Sequence, residues 1–224
     1  MTPALEAPWR QFLRELPLIG ILRGIQPSEA LEVAQALRSA GLLCLEVPLN
    51  TPAALESIGR IRERFEGELL VGAGTVLNVG EVAAALGAGA QLAVSPNTNP
   101  QVIRAVTSAG MISIPGFATA TEAFAALEAG ADALKLFPAE NAAPAVLKAL
   151  KAVLPAAVPI IPVGGISGAN MASYLACGAA GFGIGTSVYK AGLSAEAVHR
   201  RAAGLVAAWH ECRPPTAGTP SPRR

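Results

Sequence analysis

The chain has 224 residues, 52% of them apolar and 15% charged, with a formal net charge of +1. It is too apolar and too weakly charged for a disordered chain, and it lacks the basic excess that binding a nucleic-acid backbone requires. No apolar stretch approaches the roughly 20 residues needed to cross a bilayer, so neither nucleic acid nor a membrane is an expected partner.

The opening MTPALEAPWRQF has no basic start followed by an apolar run, so no secretory signal is expected. Residues 4–15 read as a leading helix. Eight short runs then read as strands: 17–23, 42–47, 68–72, 91–95, 111–115, 132–136, 158–163 and 180–185. They are nearly continuous in Leu, Ile, Val and Ala, as expected of parallel strands covered by helices. Helical stretches lie between them at 28–40, 52–65, 79–88, 119–129, 144–153 and 168–177, and Pro27 suits the start of the first. Several helical patterns end in Ala-Gly or Cys-Gly, where glycine takes the left-handed conformation that closes a helix. These stops, with Gly67 and Pro155, fall at 41, 67, 89, 110, 130, 155 and 178, a beat of 20 to 26 residues.

Eight strand–helix units in about 190 residues fit an α/β fold of the (β/α)8 TIM-barrel type with an extra N-terminal helix. An open doubly wound sheet would have the same repeat; the even unit length and the lack of a dinucleotide-binding fingerprint favour closure. The expected organisation is one domain over 1–212 followed by a disordered tail, 213–224 (RPPTAGTPSPRR). The cysteines Cys44, Cys177 and Cys212 are spaced too widely for a disulfide framework or a zinc site, and a cytoplasmic location follows as the expectation.

In such a barrel the chemistry sits where strands end and loops begin, and the unusual polar residues cluster there. Lys135 is the sharpest signal. The chain has four lysines, and Lys135 is the one inside an apolar strand (Ala131-Asp132-Ala133-Leu134-Lys135-Leu136-Phe137). Burying an ammonium costs several kcal/mol unless it is paired or loses its proton. At an unperturbed pKa only about one lysine in 2,500 is neutral at pH 7, and a buried, neutral amine is what imine formation with a ketone needs. A buried ion pair or a snorkelling rim residue would place a lysine there as well. Glu46 stands alone as a carboxylate in the apolar strand Leu42–Val47. With a period of two, Cys44 and Glu46 share a face, and so do Ala133 and Lys135. Strands two and six face each other across an eight-stranded ring, so Glu46 and Lys135 can meet as an acid–base residue and a nucleophile, or as a structural salt bridge.

Gly164-Gly165 and Gly185-Thr186-Ser187 follow strands seven and eight, where free backbone N–H groups form the phosphate cradle of these barrels. Arg23, after strand one, has the two-pronged geometry for a carboxylate, or is a rim charge. His199 and His210 lie eleven apart in a last helical region away from the expected mouth, so no metal site and no cofactor are expected.

Four motifs carry a family resemblance: Leu45-Glu46-Val47-Pro48-Leu49-Asn50, Gly72-Ala73-Gly74-Thr75-Val76-Leu77, Leu134-Lys135-Leu136-Phe137-Pro138 and Val163-Gly164-Gly165. Over roughly residues 14–210 the chain resembles the 2-keto-3-deoxy-6-phosphogluconate/phosphogalactonate aldolases, class I enzymes with a (β/α)8 fold. The resemblance implies Lys135 as the Schiff-base lysine and Glu46 as the proton-transfer residue. It further implies that Thr75 seats the pyruvate portion, that Phe137 and Pro96 line the pocket, and that Gly164, Gly165, Gly185, Thr186 and Ser187 hold the phosphate. A phosphorylated keto acid is then the small-molecule partner, and a homotrimer the implied assembly.

Three departures point to the galactonate branch. Asn50 stands where the gluconate-type pattern has an arginine, with the carboxylate-binding arginine relocated to Arg23. Val163 replaces the threonine before Gly-Gly, and Gly116-Phe117-Ala118-Thr119-Ala120-Thr121-Glu122 resembles the galactonate pattern. The substrates differ at the C4 hydroxyl, and a hydroxyl at position 163 could bond one epimer where valine cannot. The gluconate substrate, or both, is the alternative. Beyond them stand a phosphosugar isomerase or epimerase using Glu46 as base, which needs no nucleophilic lysine, and a noncatalytic phosphosugar sensor.

Overall fold

The computed structural model describes residues 1–212; the tail expected over 213–224 lies outside the described residues. The leading helix α1 spans Pro3–Glu15. The chain then alternates β1 (Leu18–Ile21), α2 (Ala30–Ser39), β2 (Cys44–Pro48), α3 (Ala54–Arg64), β3 (Leu70–Gly74), α4 (Val79–Gly87), β4 (Leu92–Val94), α5 (Pro100–Ser108), β5 (Ile112–Ile114), β6 (Gly116–Phe117), α6 (Ala120–Glu128) and β7 (Leu134–Leu136). A 3-10 turn (Ala139–Asn141), α7 (Pro144–Lys151), β8 (Ile160–Pro162), α8 (Met171–Ala176), β9 (Phe182–Ile184) and α9 (Ala195–Cys212) complete it.

All strand pairs are parallel. They form one sheet in the order β5-β4-β3-β2-β1-β9 and a second in the order β6-β7-β8. The fifth apolar run differs from the single strand expected at 111–115. Pro115 carries no N–H, so the ladder to β4 stops at Ile114 and the chain re-pairs with β7 from Gly116 onward. Main-chain hydrogen bonds run between the sheet edges: Asp132 and Lys135 donate to Ser113 and Pro115, and Ala180 donates to Ile160. A single bridge joins Val163 to Gly183.

Side chains sort into two cores, as strand alternation requires. The larger one fills the space between the strands and their helices, with Leu18, Leu45, Val47, Val71, Leu134 and Ile160 meeting Leu37, Ile58, Val102 and Leu147. The smaller one lies on the other face of the strands, where Ile19, Cys44, Leu70, Leu92, Ile112, Ala133 and Ile161 from both sheets meet. Trp9 and Phe12 of α1, with ring centroids 5.1 Å apart, pack into this second cluster. The leading helix is thereby anchored through its aromatic face.

β3 runs Leu70–Gly74, so it starts later than the run expected at 68–72 and carries Ala73 and Gly74 inside the strand. The helix that the stop at 110 implies is α5, which Asn99 caps by accepting from the Gln101 N–H and which has Pro100 in its first turn. His199 sits where α9 packs on α2, its Nδ1 3.0 Å from the Ala36 carbonyl.

Candidate active site

Glu46 and Lys135 are the only buried charged side chains among the described residues, at 2% and 6% exposure. β2 places Glu46 beside Ile21 of β1 and Gly72 of β3. β7 places Lys135 beside Gly116 and Ile161. Both side chains enter one narrow cavity on the inner face of the strands, walled by Ile19, Ile21, Val94, Ile114, Ile161, Val163 and Gly183. Among the described residues the ion pairs lie elsewhere, and none includes Lys135 or Glu46. The two charges face a common apolar space without being locked together.

Burial sets their proton affinities. It pushes the Glu46 carboxyl up from 4.5 to about 7, against the downward pull of the Lys135 and Arg23 charges. It pulls the Lys135 amine below its ordinary range; the Glu46 carboxylate opposes this and the Arg23 guanidinium adds to it. Lys135 Nζ lies 4.5 Å from the centre of the Phe137 ring, on the next residue but one of the same chain segment. Among the described residues the buried Oε2 atom of Glu46 has no hydrogen-bond partner, which leaves a lone pair for a substrate proton. A carboxyl that titrates near neutrality beside an amine with a lowered pKa can pass protons in both directions.

The cavity lies next to a mouth cleft of about 300 Å³, which shares Ile21, Val163 and Gly183 with it. Arg23, Phe137, Glu140, Gly164, Gly165, Gly185 and Thr186 line this cleft. Gly164 and Gly165 both take positive φ, 110° and 64°, which a residue with a side chain rarely adopts. Among the described residues, the N–H groups of Gly165, Ile166, Thr186 and Ser187 have no main-chain acceptor, the arrangement that receives an anion. The Ser187 hydroxyl donates to the Ile166 carbonyl at 2.7 Å and so ties the two corners together.

Thr75 and Pro96 line neither cavity. Thr75 follows β3 with φ 55°, an uncommon conformation for a β-branched residue. Pro96 is half-buried, and its carbonyl would meet any Cβ at Gly116. Glu140 was absent from the residues expected at the mouth. It follows β7 on the 3-10 turn and reaches the glycine corner, its Oε2 3.1 Å from where a Cβ on Gly164 would stand. Its position two residues after Phe137-Pro138 is the one sequence signal that could have placed it there.

The model of the KDPG and KHG aldolase family matches residues 10–202. The chain is 47% identical over 201 residues to the 2-dehydro-3-deoxy-6-phosphogalactonate aldolase of Escherichia coli (strain K12), covering 90% of this chain and 98% of that one. A solved structure described as native KDPGal superposes with a TM-score of 0.87 at 47% identity, over 88% of this chain and 96% of that one. The KDPG aldolase of Legionella pneumophila, with pyruvate captured as a covalent carbinolamine, superposes with a TM-score of 0.79 at 30% identity, over 86% and 95%. The match of the family model over residues 10–202 and the 47% identical relative, with a buried amine facing a buried carboxyl in the shared fold, assign the chain to the KDPG and KHG aldolase family of Schiff-base carbon–carbon lyases.

Proposed function

We propose that the chain cleaves 2-dehydro-3-deoxy-6-phosphogalactonate into pyruvate and D-glyceraldehyde 3-phosphate through an imine on Lys135. The observation that carries this reading is the pairing of Lys135 and Glu46 in one apolar cavity without an ion pair. The neutral amine of Lys135 adds to the C2 ketone, and Glu46 shuttles protons as the carbinolamine loses water. The resulting iminium draws electrons from the C3–C4 bond. Glu46, directly or through a water, takes the C4 hydroxyl proton; the bond breaks and the aldehyde leaves. The enamine left on Lys135 is protonated at C3, and water releases pyruvate and the free amine.

In this reading the free N–H groups at Gly165, Ile166, Thr186 and Ser187 receive the phosphate, and binding energy gained there orients the distant reacting bond. Ser187 contributes through its main chain, since its hydroxyl is engaged with Ile166. Arg23 receives the carboxylate and Phe137 bounds the pocket; Thr75 and Pro96, given roles at the pocket by the family resemblance, stand outside both cavities. Residues 1–212 form one domain, and the two curled sheets form a single closed (β/α)8 barrel. The hydrogen bonds from Asp132 and Lys135 to Ser113 and Pro115, and the Val163–Gly183 bridge, support that closure. The free cysteines fit a reducing, cytoplasmic compartment. A homotrimer is carried by the family resemblance, and exposed Leu77, Val79 and Phe124 offer apolar surface for subunit contact.

Two observations favour the galactonate epimer: the 47% identical relative acts, by its name, on that compound, and apolar Val163 borders both the cavity and the mouth. The test follows pyruvate release from the two C4 epimers side by side. Faster turnover of the galactonate epimer is expected, and a strong preference for the gluconate epimer overturns the substrate assignment.

A further inference from the structure

β1 lies between β9 and β2 in the sheet. Arg23, just past β1, therefore stands between two sides of the mouth. On one side are the glycine corners after β8 and β9, and Arg23 lines the cleft they form. On the other side are β2 with Glu46 and β3, which ends at Gly74. A guanidinium on a long, exposed side chain at such a boundary can serve an anion on either side.

Its direction is set by one contact. Arg23 Nη1 donates to Asn50 Oδ1 at 2.6 Å, across 27 residues of sequence and from the loop after β1 to the loop after β2. The two loops are tied independently by the Gly24 N–H, which donates to the buried Thr51 hydroxyl at 3.0 Å. The Asn50 side chain is therefore not needed to hold the loops together; its contact with Arg23 fixes the guanidinium alone. Asn50 itself is exposed, so replacing it leaves the core untouched.

We propose that Asn50 is a positioning residue that fixes the Arg23 guanidinium toward the loop after β2, where it meets the carboxylate of the keto acid. The inference rests on the Schiff-base reading of Lys135. It adds that capture of the carboxylate depends on a side chain touching neither the reacting atoms nor the phosphate. The downward pull of the Arg23 charge on Glu46 and Lys135 agrees with a guanidinium drawn toward their side.

The test uses exchange of the pyruvate methyl protons for deuterium, read by NMR, with inorganic phosphate as a competing probe. Asn50→Leu is expected to raise the half-saturating pyruvate concentration about tenfold, the value of one hydrogen bond to a charged group. Maximal exchange and inhibition by phosphate should both stay within about twofold, since neither depends on that bond. In Arg23→Ala the pyruvate effect should be larger, and adding Asn50→Leu to it should change little more, because the two side chains act as one unit. Unchanged pyruvate half-saturation in Asn50→Leu overturns the inference, as does equal weakening of pyruvate and phosphate, or full additivity of the two substitutions. Failure of the unmodified protein to exchange pyruvate protons at all would instead overturn the Schiff-base reading beneath it.

Discussion

The carboxylate of Glu46 occupies the space that any side chain at position 74 would need: a Cβ built on Gly74 overlaps Glu46 Oε2. Gly74 ends β3 opposite Pro48 of β2, in a backbone conformation open to any residue. The glycine is there for space, not for φ. Gly74→Ala should displace the carboxylate from the cavity and lower kcat by about 100-fold, as expected when a catalytic group is misplaced by an ångström. Steady-state pyruvate release checks this, with circular dichroism reporting that the fold survives. Near-normal kcat would mean that Glu46 acts from another position.

Lys135→Ala should remove turnover altogether while leaving the fold intact, because the amine is the group that bonds to substrate. Measurable cleavage above the uncatalysed rate would mean that Lys135 is not the nucleophile. Glu46→Gln keeps the shape and loses the proton shuttle. A drop in kcat of about 10²–10⁴-fold is expected for loss of a general acid–base group, with inhibition by inorganic phosphate unchanged. Parallel loss of both would make Glu46 a structural residue.

The pH profile follows from the two buried groups. Glu46 must be ionised to take the C4 proton and Lys135 neutral to attack, so kcat/KM should fall on the acid side of about pH 7, where burial holds the Glu46 proton. Stability carries the same signature. The folded chain keeps the Glu46 proton up to about pH 7 and the unfolded chain only to about 4.5. Between these values the folded state binds more protons, and the Glu46 contribution to stability declines as pH rises. Urea unfolding at pH 5 and at pH 7.5 should show Glu46→Gln gaining on the unmodified protein at the higher pH; equal differences at both would contradict the raised pKa.

The strongest functional signals in the sequence were charges in apolar strands. Lys135 and Glu46 stood out because the strand period and burial cost leave few reasons for them, and the structure brings both to one cavity. The close approach of Gly74 to Glu46 was not legible, since it depends on the register between β2 and β3. Glu140 read as one more surface acid; only the path of the chain after β7 brings it to Gly164 and Gly165. The split of the fifth strand could be read from Pro115, and α5 from Asn99-Pro100. Ser187 shows the opposite error, a hydroxyl at the expected place whose hydrogen bond goes to a neighbouring loop.

That acid at the glycine corner leads to a further expectation. A carboxylate beside the N–H groups that receive a phosphate opposes the incoming charge. Glu140→Gln should tighten inhibition by inorganic phosphate by about two- to fivefold, in line with removing one exposed like charge. Weaker inhibition in the variant would place the phosphate elsewhere in the mouth.

Val163 borders the reacting cavity where the gluconate-type pattern has threonine. Val163→Thr should move the ratio of the two epimers' kcat/KM toward the gluconate compound by about tenfold, the scale of one polar contact to a substrate hydroxyl. An unchanged ratio would assign the discrimination to other side chains.

The central claim, covalent capture of a keto acid by the Lys135 amine, is tested most directly by adding borohydride with pyruvate and measuring the mass of the intact chain. One reduced pyruvate adduct per chain is expected, mapped to Lys135 by peptide analysis and missing in Lys135→Ala. An unchanged mass, or an adduct on Lys148, Lys151 or Lys190, would contradict it.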